Sequence, residues 1–253
     1  MKTVAIVQAR MGSTRLPGKV LMDIAGQPML RRVIERLKHT KLLDDIVIAT
    51  STNDEDKPVI KLAEQNKVKS YAGSPNDVLD RYYQAAKLYK ADVVVRITAD
   101  CPLIDPQVVD KVIKYYKAGK YDYVSNVVKP TYPDGLDTEV FSYRSLTKAW
   151  QEAKLTSERE HVTPYIWKNT AIFKIGGIQN TTDYSSLRWT VDDRKDIEFI
   201  REVYRHLYKK NKMFYMGDVL GLLKQHPELL KINQGTARNE GYTKSVLEDK
   251  IVK

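Results

Sequence analysis

The sequence predicts an α/β protein with a mostly parallel, twisted sheet and helices on both faces. Short apolar runs typical of buried strands alternate with amphipathic, helix-like segments through the first half of the chain. A loop rich in glycine, small residues and cations directly follows the first apolar run, at the position where parallel α/β sheets bind ligands. The chain has 253 residues, of which 42% are hydrophobic, enough for one α/β domain that carries an insertion.

The first half of the chain predicts the core strands and helices in turn. The run 4–7 predicts the first strand, and apolar residues at helical spacing from Met29 to Leu37 predict the first helix. The pairs Ser74-Pro75 and Asp105-Pro106 are each typical of a helix cap followed by the first helical residue. The other elements predicted here are strands at 46–49, 68–71 and 93–97 and a helix at about 55–65.

The pattern loosens between about residues 121 and 180, and we interpret this region as an insertion that receives a second substrate and pairs two subunits. A strand at 138–141, two helices and an edge strand at 173–178 are predicted in it, and the second helix is expected to begin with a capping box of Ser157 and Glu160. A strand at 187–191, a helix capped by Asp193 and a last helix ending near residue 230 complete a single domain of residues 1–232. Residues 233–253 are predicted to form a polar, partly ordered tail.

Composition excludes several classes of protein. The net charge is +10, but the lysines are scattered and no nucleic-acid-binding module is present, so we expect no nucleic acid partner. No apolar stretch approaches the length of a membrane span, and a signal peptide is not expected. A single cysteine, Cys101, excludes an intramolecular disulfide framework and fits a reducing, cytoplasmic location. The four histidines lack the spacing of a zinc site.

The loop of residues 9–19 carries the strongest functional signal. Its glycines would let backbone N–H groups approach the oxygens of a polyphosphate, while Arg10, Arg15 and Lys19 would neutralise the charge. It is not a P-loop, because five residues separate Gly12 from Gly18 and a valine follows the lysine. Its glycine spacing also differs from that of dinucleotide-binding loops. The alternative is a solvated basic surface loop.

Two carboxylates are predicted to reach the same edge of the sheet as this loop. Asp100 follows the strand at 93–97, and Asp192 follows the predicted strand at 187–191. Two carboxylates, together with substrate phosphates and waters, are a usual way to hold Mg²⁺. The alternative for Asp192 is a charge at the start of the following helix, the role that we assign to Asp193 and Asp196.

Further polar groups are candidates for contacts with a base or a sugar. Asp77 and Arg81 lie near the start of a helix facing the same edge, where they would bind a base or a phosphate or, alternatively, be a first-turn acid and an exposed arginine. The candidates for binding an acceptor sugar are Gly135, Asp137, Glu139, Arg159, His161 and Thr163. The alternative for Asp137 and Glu139 is a solvated face of an edge strand, and the alternative for His161 is a structural histidine.

The motif ARMGSTRLPGK, residues 9–19, closely resembles the start of sugar nucleotidyltransferases, in particular the cytidylyltransferases of the spore coat polysaccharide biosynthesis protein F and acylneuraminate types. The resemblance continues to about Tyr208 through the blocks GSPNDVLDRYYQAAK, RITADCPLIDP, YPDGLDTEVFS, SEREHVTPYIW and LRWTVDDRKDIEF. It implies a Rossmann-like nucleotidyltransferase fold, a loop that wraps the triphosphate of CTP, and a homodimer.

The resemblance also implies roles for individual residues. Asp100 and Asp192 match positions that bind the metal in the family. Arg10, Arg15 and Lys19 lie in the stretch that wraps the triphosphate, and we interpret them as the catalytic residues that hold and neutralise it. The 3-deoxy-manno-octulosonate enzymes usually carry Gln-Gly-Asp where this chain has Thr98-Ala99-Asp100, which removes any pyrimidine contact of that glutamine. The nucleotide-binding set that follows is Gln8, Ala9, Arg10, Gly12, Ser13, Arg15, Lys19, Asp77, Arg81, Thr98 and Asp100.

The sequence therefore predicts a magnesium-dependent cytidylyltransferase that transfers CMP from CTP to a small acidic sugar of the nonulosonate or octulosonate type, with release of pyrophosphate, in surface polysaccharide biosynthesis. Two alternatives are a glycosyltransferase that uses a sugar-nucleotide donor and a non-catalytic nucleotide-binding protein. We expect Lys19→Ala to abolish most turnover and to leave the fold nearly intact.

Overall fold

A twisted seven-stranded sheet forms the centre of the protein in the computed structural model, which describes residues 1–209, 212–236 and 238–252. The strand order is β5-β4-β1-β6-β8-β7-β9, and β8 is the one strand of this sheet that runs antiparallel to its neighbours. The strands are β1 (Thr3–Gln8), β4 (Asp45–Ser51), β5 (Lys69–Gly73), β6 (Val93–Thr98), β7 (Tyr123–Ser125), β8 (Glu139–Ser142) and β9 (Ile175–Gly177), with a separate two-stranded ribbon of β2 (Asp23–Ile24) and β3 (Gln27–Pro28).

Helices cover both faces of the sheet, as the alternating pattern predicted. Successive residues of β1 point to opposite sides, so Ala5 and Val7 belong to one apolar core while Val4 and Ile6 belong to the other. The helices are α1 (Met29–Leu37), α2 (Lys57–Gln65), α3 (Val78–Leu88), α4 (Pro106–Ala118), α5 (Tyr143–Glu152), α6 (Thr156–His161), α7 (Pro164–Lys168), α8 (Arg194–Leu207), α9 (Met216–Gln225) and α10 (Glu240–Leu247). In the part of the chain that the structure describes, no helix has the length and apolar character that crossing a bilayer requires.

Two predicted caps are confirmed and two are wrong. Asp105 caps α4 and Asp193 caps α8, each by accepting from a first-turn N–H group. The helix predicted to open at Ser74-Pro75 instead begins at Val78, because Asp77 accepts from the N–H group of Asp80 at 2.8 Å. The capping box predicted at the start of α6 is also wrong. There the backbone N–H group of Ser157 donates to the carboxylate of Asp249, which comes from the far end of the chain.

The predicted strand at 187–191 is an extended segment with a single parallel bridge, between Asp134 and Arg188. Its hydrogen bonds are divided between two loops, because Trp189 N donates to Asp134 O and Val191 N donates to Asp100 O at 2.8 Å. A continuous strand neighbour is therefore missing for this segment among the described residues. The segment nevertheless brings residue 192 next to residue 100, at the carboxyl end of β6.

The region 121–180 extends the sheet with β7, β8 and β9 and packs α5, α6 and α7 on one face. The edge strand predicted at 173–178 is present as β9, at the end of the sheet. Beyond residue 233, where a partly ordered tail was predicted, the chain forms α10 and then hydrogen bonds with the start of α6.

Candidate active site

The cationic loop after β1 is curled by a few specific contacts. The carbonyl oxygen of Met11 accepts from the N–H groups of Ser13 and Gly18, at 2.8 and 2.9 Å. The N–H group of Met11 donates to buried Asp56 at 2.6 Å, and Asp56 is held in turn by the hydroxyl of Ser51. Asp56 was missed by the sequence analysis, although an acid shortly after the strand β4 is the signal that could have identified it.

The middle of the same loop leaves backbone donors available. Within residues 1–209, 212–236 and 238–252, no protein acceptor is found for the N–H groups of Gly12, Thr14 and Arg15. Arg10 is exposed at the start of the loop, and the side chain of Arg15 is 44% exposed. Free N–H groups close together in a loop that carries two arginines suit the binding of phosphate oxygens.

Lys19 lies where the two predicted carboxylates meet. Its ammonium group donates to Asp100 Oδ2 at 2.8 Å, to Asp192 Oδ1 at 3.0 Å and to the carbonyl oxygen of Val191 at 2.7 Å. The side chain is only 10% exposed. All three N–H bonds of the ammonium group are therefore used, and the structure brings the loop and both acids to one point at the carboxyl edge of the sheet.

The pKa values of Lys19 and Asp100 are set by their opposite charges more than by their burial. Burial disfavours the charged form of Lys19, but the neighbouring Asp100 and Asp192 raise its pKa above the ordinary value. Burial likewise opposes ionisation of Asp100, and the Lys19 ammonium nevertheless holds the pKa of that carboxyl below its usual range. Lys19 is thus cationic and Asp100 anionic at neutral pH.

Asp192 accepts from three cations at once. Arg15 Nη2 lies 3.0 Å from Oδ1, which Lys19 also contacts, and Arg188 Nη2 lies 2.9 Å from Oδ2. The side chain of Arg188 is 8% exposed and also binds Asp196 at 2.9 Å, so it joins the start of α8 to the site. The sequence analysis missed Arg188, whose one signal is its position four residues before Asp192. Asp196, predicted as a helix-start charge, is buried against Arg188 and the backbone of Asp192.

The two carboxylates differ in how well they fit a magnesium ion. Within the described residues, the hydrogen bond to Asp100 Oδ1 is a weak one, from Cys101 Sγ at 3.7 Å, so this oxygen is available to a metal. Both oxygens of Asp192 already accept from cations, so it would fit a metal only if Arg15 and Lys19 turned to phosphate oxygens. No group of three potential metal ligands occurs among the described residues, so substrate oxygens and water would have to complete the coordination.

Arg81 is a buried cation with incomplete hydrogen bonding. Its side chain is 2% exposed, and within the described ranges no partner is present for Nε and Nη1. Burial and the nearby Arg10 lower the pKa of Arg81. The alternative of an exposed arginine is therefore wrong, and the guanidinium lies behind the cationic loop.

Asp77 serves as a helix cap and as an ion-pair partner. Besides capping α3, it accepts from Arg159 Nε at 2.9 Å. The predicted nucleotide side and the predicted acceptor side are therefore joined by a side-chain pair.

The remaining predicted nucleotide residues lie around the end of β1 and the loop that follows it. Gln8 accepts from the Tyr82 hydroxyl at 3.3 Å, and Thr98 contacts Cys101 Sγ at 3.2 Å. Ala9 is buried, and Ser13 Oγ accepts from Leu16 N at 3.4 Å.

Three of the predicted acceptor-side residues lie in the interior. Glu139 is buried, accepts from Arg96 and from the Tyr123 hydroxyl at 2.8 Å, and contacts the hydroxyl of buried Thr163. Gly135 has φ +107°, and a Cβ there would lie 2.5 Å from the carbonyl carbon of Trp189. The structure gives Gly135 a backbone role, since only glycine allows this close approach of the 187–191 segment.

The other two acceptor-side candidates, Asp137 and His161, meet the end of the chain. Asp137 pairs with Arg238, and burial, together with the nearby Asp134 and Glu139, raises the pKa of Asp137 to about 7 despite that arginine. His161 Nε2 lies 3.0 Å from Ser245 Oγ, and burial and the charge of Arg96 lower the pKa of His161 to about 4. Residues this far along the chain carried no motif, so no pattern indicated that they lie here.

Comparison with known proteins identifies the family. A family profile described as cytidylyltransferase matches residues 4–229. The chain belongs to the cytidylyltransferase family. A cytidylyltransferase structure from Leptospira borgpetersenii is 34% identical, with a TM-score of 0.88 over 94% of this chain and 100% of that chain. The spore coat polysaccharide biosynthesis protein SpsF of Bacillus subtilis is 29% identical over 88% of this chain and 94% of its own length.

These matches confirm the family, the enzyme class and the fold that the sequence of this cytidylyltransferase predicted. An uncharacterised protein of Methanocaldococcus jannaschii is 38% identical over 96% of this chain and 98% of its own length. The match to the family profile ends at residue 229, so the contacts of Arg238 and of α10 lie outside the matched region.

Proposed function

We propose that this cytidylyltransferase transfers CMP from CTP to an acidic sugar of the nonulosonate or octulosonate type, releases pyrophosphate and requires Mg²⁺. The observation that supports the proposal most is the meeting of Lys19, Asp100 and Asp192 beside a loop with free N–H groups. A 3-deoxy-manno-octulosonate cytidylyltransferase of Chloroherpeton thalassium is 36% identical over 45% of this chain and 45% of its own length. Together with the resemblance to SpsF, it supports an acidic sugar destined for a surface polysaccharide.

In the proposed reaction an acceptor oxygen attacks the α-phosphorus and a new P–O bond forms; if that oxygen is a hydroxyl, its proton passes to water. The bond from the α-phosphorus to the oxygen that bridges it to the β-phosphate breaks, and pyrophosphate leaves with that oxygen. Negative charge grows on the leaving pyrophosphate. Arg10, Arg15 and the free N–H groups of the loop would hold the β- and γ-phosphates, while Lys19 would follow the charge that develops near the α-phosphorus.

Magnesium, when bound, would neutralise phosphate oxygens and polarise the α-phosphorus. Asp100 would hold it through the free Oδ1, and Asp192 would contribute Oδ1 once the triphosphate attracts Arg15 and Lys19. These two acids would also orient Lys19, because its ammonium group is shared between them.

A product assay tests the proposal. Purified enzyme is incubated with each nucleoside triphosphate and a panel of acidic sugars and sugar phosphates, with and without Mg²⁺, and pyrophosphate is measured. Release with CTP and an acidic sugar supports the function. Nucleoside mono- or diphosphate from a sugar-nucleotide donor would favour a glycosyltransferase, and nucleotide binding without any turnover would favour a non-catalytic protein.

The magnesium proposal is tested with Asp100→Asn, using Asp193→Asn as a matched control at a helix cap that is not predicted to bind metal. We expect Asp100→Asn to remove the magnesium-dependent activity and Asp193→Asn to keep its magnesium titration curve. Equal curves for the wild type and Asp100→Asn would exclude Asp100 as a ligand. The expected homodimer is checked separately, by light scattering after size-exclusion chromatography.

A further inference from the structure

The segment of residues 238–252 is built into the site although it lies beyond the region that matches the family profile, residues 4–229. It begins next to Asp137, continues as α10 beside α6, and ends in an antiparallel bridge between Leu155 and Ile251. The match to the Methanocaldococcus jannaschii protein covers 96% of this chain, so at least part of the segment is shared with that relative although the family profile does not include it.

The far end of the segment is held by contacts that involve no predicted ligand group. Asp249 accepts from the backbone N–H and the hydroxyl of Ser157, at 2.8 and 2.7 Å, and from the hydroxyl of Thr156 at 3.0 Å. Val252 N donates to the carbonyl oxygen of Lys154 at 2.7 Å. Because the end of the chain is anchored on α6, the residues before it are held beside the acceptor side.

The near end of the segment supplies partners to two of the acceptor-side candidates, Asp137 and His161. Arg238 pairs with Asp137 and donates to the carbonyl oxygen of Tyr132 at 3.1 Å. The ring of Tyr242 lies edge-on to His161, with centroids 5.1 Å apart. Two residues earlier, Glu240 lies 3.2 Å from Arg15 and thus reaches the triphosphate loop.

Three buried donors in this neighbourhood have no hydrogen-bond partner among residues 1–209, 212–236 and 238–252: Arg96 Nε, Arg238 Nε and the Tyr242 hydroxyl. Arg238 pairs with Asp137 and the ring of Tyr242 packs against His161, while the charge of Arg96 acts on both Asp137 and His161, so each donor lies near one of these two acceptor-side residues. Arg238 Nε is 3.9 Å from Asp134 Oδ1, too far for a hydrogen bond. Buried polar groups nearly always have partners, so a cluster without them points to a ligand with several acceptor oxygens.

We propose that residues 238–249 form the acceptor-recognition element of this enzyme, in which Arg238 binds the carboxylate and Tyr242 a hydroxyl of a sugar acid. The proposal rests on the proposed function, since it names the residues that would select its acceptor. The guanidinium fork of arginine matches a carboxylate. In the structure Asp137 accepts from Nη2 and the carbonyl oxygen of Tyr132 from Nη1, so a ligand carboxylate would use the unpartnered Nε and replace Asp137 at Nη2.

Calorimetric titration tests the proposal with two probes, 3-deoxy-manno-octulosonate and N-acetylneuraminate, on the full chain in the presence of a non-hydrolysable CTP analogue. For a probe that binds the wild type, we expect Arg238→Ala to weaken binding about ten- to hundredfold, the range for lost charged hydrogen bonds. Arg238→Lys keeps the charge without the fork and should give an intermediate loss, and Tyr242→Phe a smaller one. The Kd of the CTP analogue should change less than twofold in all three.

The control is Arg205→Ala, which removes an exposed arginine that pairs with Glu202 on α8 and should leave the Kd of the acid unchanged. Unfolding temperatures identify variants that fail to fold. If Arg238→Ala fails to fold, Arg238→Lys and Tyr242→Phe still test the proposal. A wild type that binds neither acid, or variants that bind the acid as the wild type does, would overturn the proposal. If binding of the acid depends on Arg238 but no pyrophosphate is released from CTP, the recognition element is supported and the proposed function is refuted. If pyrophosphate is released and Arg238→Ala leaves the KM of the acceptor unchanged, the proposed function is supported and the recognition element is refuted.

Discussion

Lys19→Ala should destabilise the protein as well as abolish its turnover. The ammonium group contacts Asp100 at 2.8 Å and Asp192 at 3.0 Å, and its side chain is 10% exposed. Without it Asp192 keeps Arg15 and Arg188, whereas Asp100 loses its only ion-pair partner among the described residues. Breaking a buried pair costs about 3–5 kcal/mol, and we expect the lower end, about 3 kcal/mol, because Asp100 is partly exposed. The expectation of a nearly intact fold, made from the sequence, is therefore revised.

A double-mutant cycle measures this loss. The free energies of unfolding of the wild type, Lys19→Ala, Asp100→Asn and the double variant are obtained from urea denaturation followed by circular dichroism at neutral pH. Since Asp100→Asn removes the charge that Lys19→Ala leaves unpaired, the double variant should recover about 1–2 kcal/mol relative to Lys19→Ala, within the usual range for directly coupled residues.

Turnover is measured on the same proteins under conditions in which each is folded. Lys19→Ala should lower kcat by about 10²–10³, the usual effect of removing one preorganised charge contact. Lys19→Ala with wild-type stability, or effects of the two substitutions that simply add, would refute the inference that Lys19 and Asp100 act as a pair. Unchanged pyrophosphate release by folded Lys19→Ala would refute its catalytic assignment.

Gly135, Arg81 and His161 each provide a separate test of the structure. Gly135→Ala should lower stability by about 1–3 kcal/mol through backbone strain, because φ is +107° and the new Cβ would lie 2.5 Å from Trp189, whereas Gly217→Ala, with nothing within 4 Å, serves as the control in thermal unfolding. Arg81→Met should weaken CTP binding in calorimetry while leaving the ligand-free protein equally or more stable, since the buried guanidinium has unpaired donors; a parallel loss of both would contradict this reasoning. Burial and Arg96 lower the pKa of His161 to about 4, so between about pH 6.5 and 4 the unfolded state binds a proton on this residue and the folded state does not. The free energy of unfolding should therefore decrease as the pH is lowered through this window, by up to about 1.4 kcal/mol per pH unit. His161→Gln should make the urea midpoint depend less on pH in the same window.

The sheet and its helices were predictable because local patterns carry them. The run 4–7 is apolar without interruption, as expected of a strand covered on both faces, and the caps Asp105 and Asp193 act within one turn of their own helices. The meeting of Asp100 and Asp192 was predicted from a strand at 187–191 that the structure lacks. The prediction of position succeeded because hydrogen bonds to Asp134 and Asp100 align this segment with the end of β6 as a strand would.

Features that depend on contacts between distant parts of the chain were not predictable. Asp249 caps a helix that begins 93 residues earlier, and no pattern around Thr156 indicates this. The neighbourhood of Arg238 likewise contains no motif, although it reaches Asp137, 101 residues away. Charged residues near the end of a chain usually belong to solvated tails, so composition alone favours the wrong interpretation here.

The charge pattern of the site has a consequence for the order of binding. Arg15 pairs with Asp192 and Glu240, and Lys19 pairs with Asp100 and Asp192, so both cations are already neutralised within the protein. A triphosphate that takes up these cations would leave Asp100 and Asp192 with unbalanced negative charge, which Mg²⁺ can neutralise. Nucleotide and metal should therefore bind cooperatively, because each relieves the charge imbalance that the other creates. The calorimetric Kd of CTP should be lower with Mg²⁺ than without it in the wild type, and this difference should shrink in Asp192→Asn; a Kd that is independent of Mg²⁺ would show that the cations and the acids do not exchange partners.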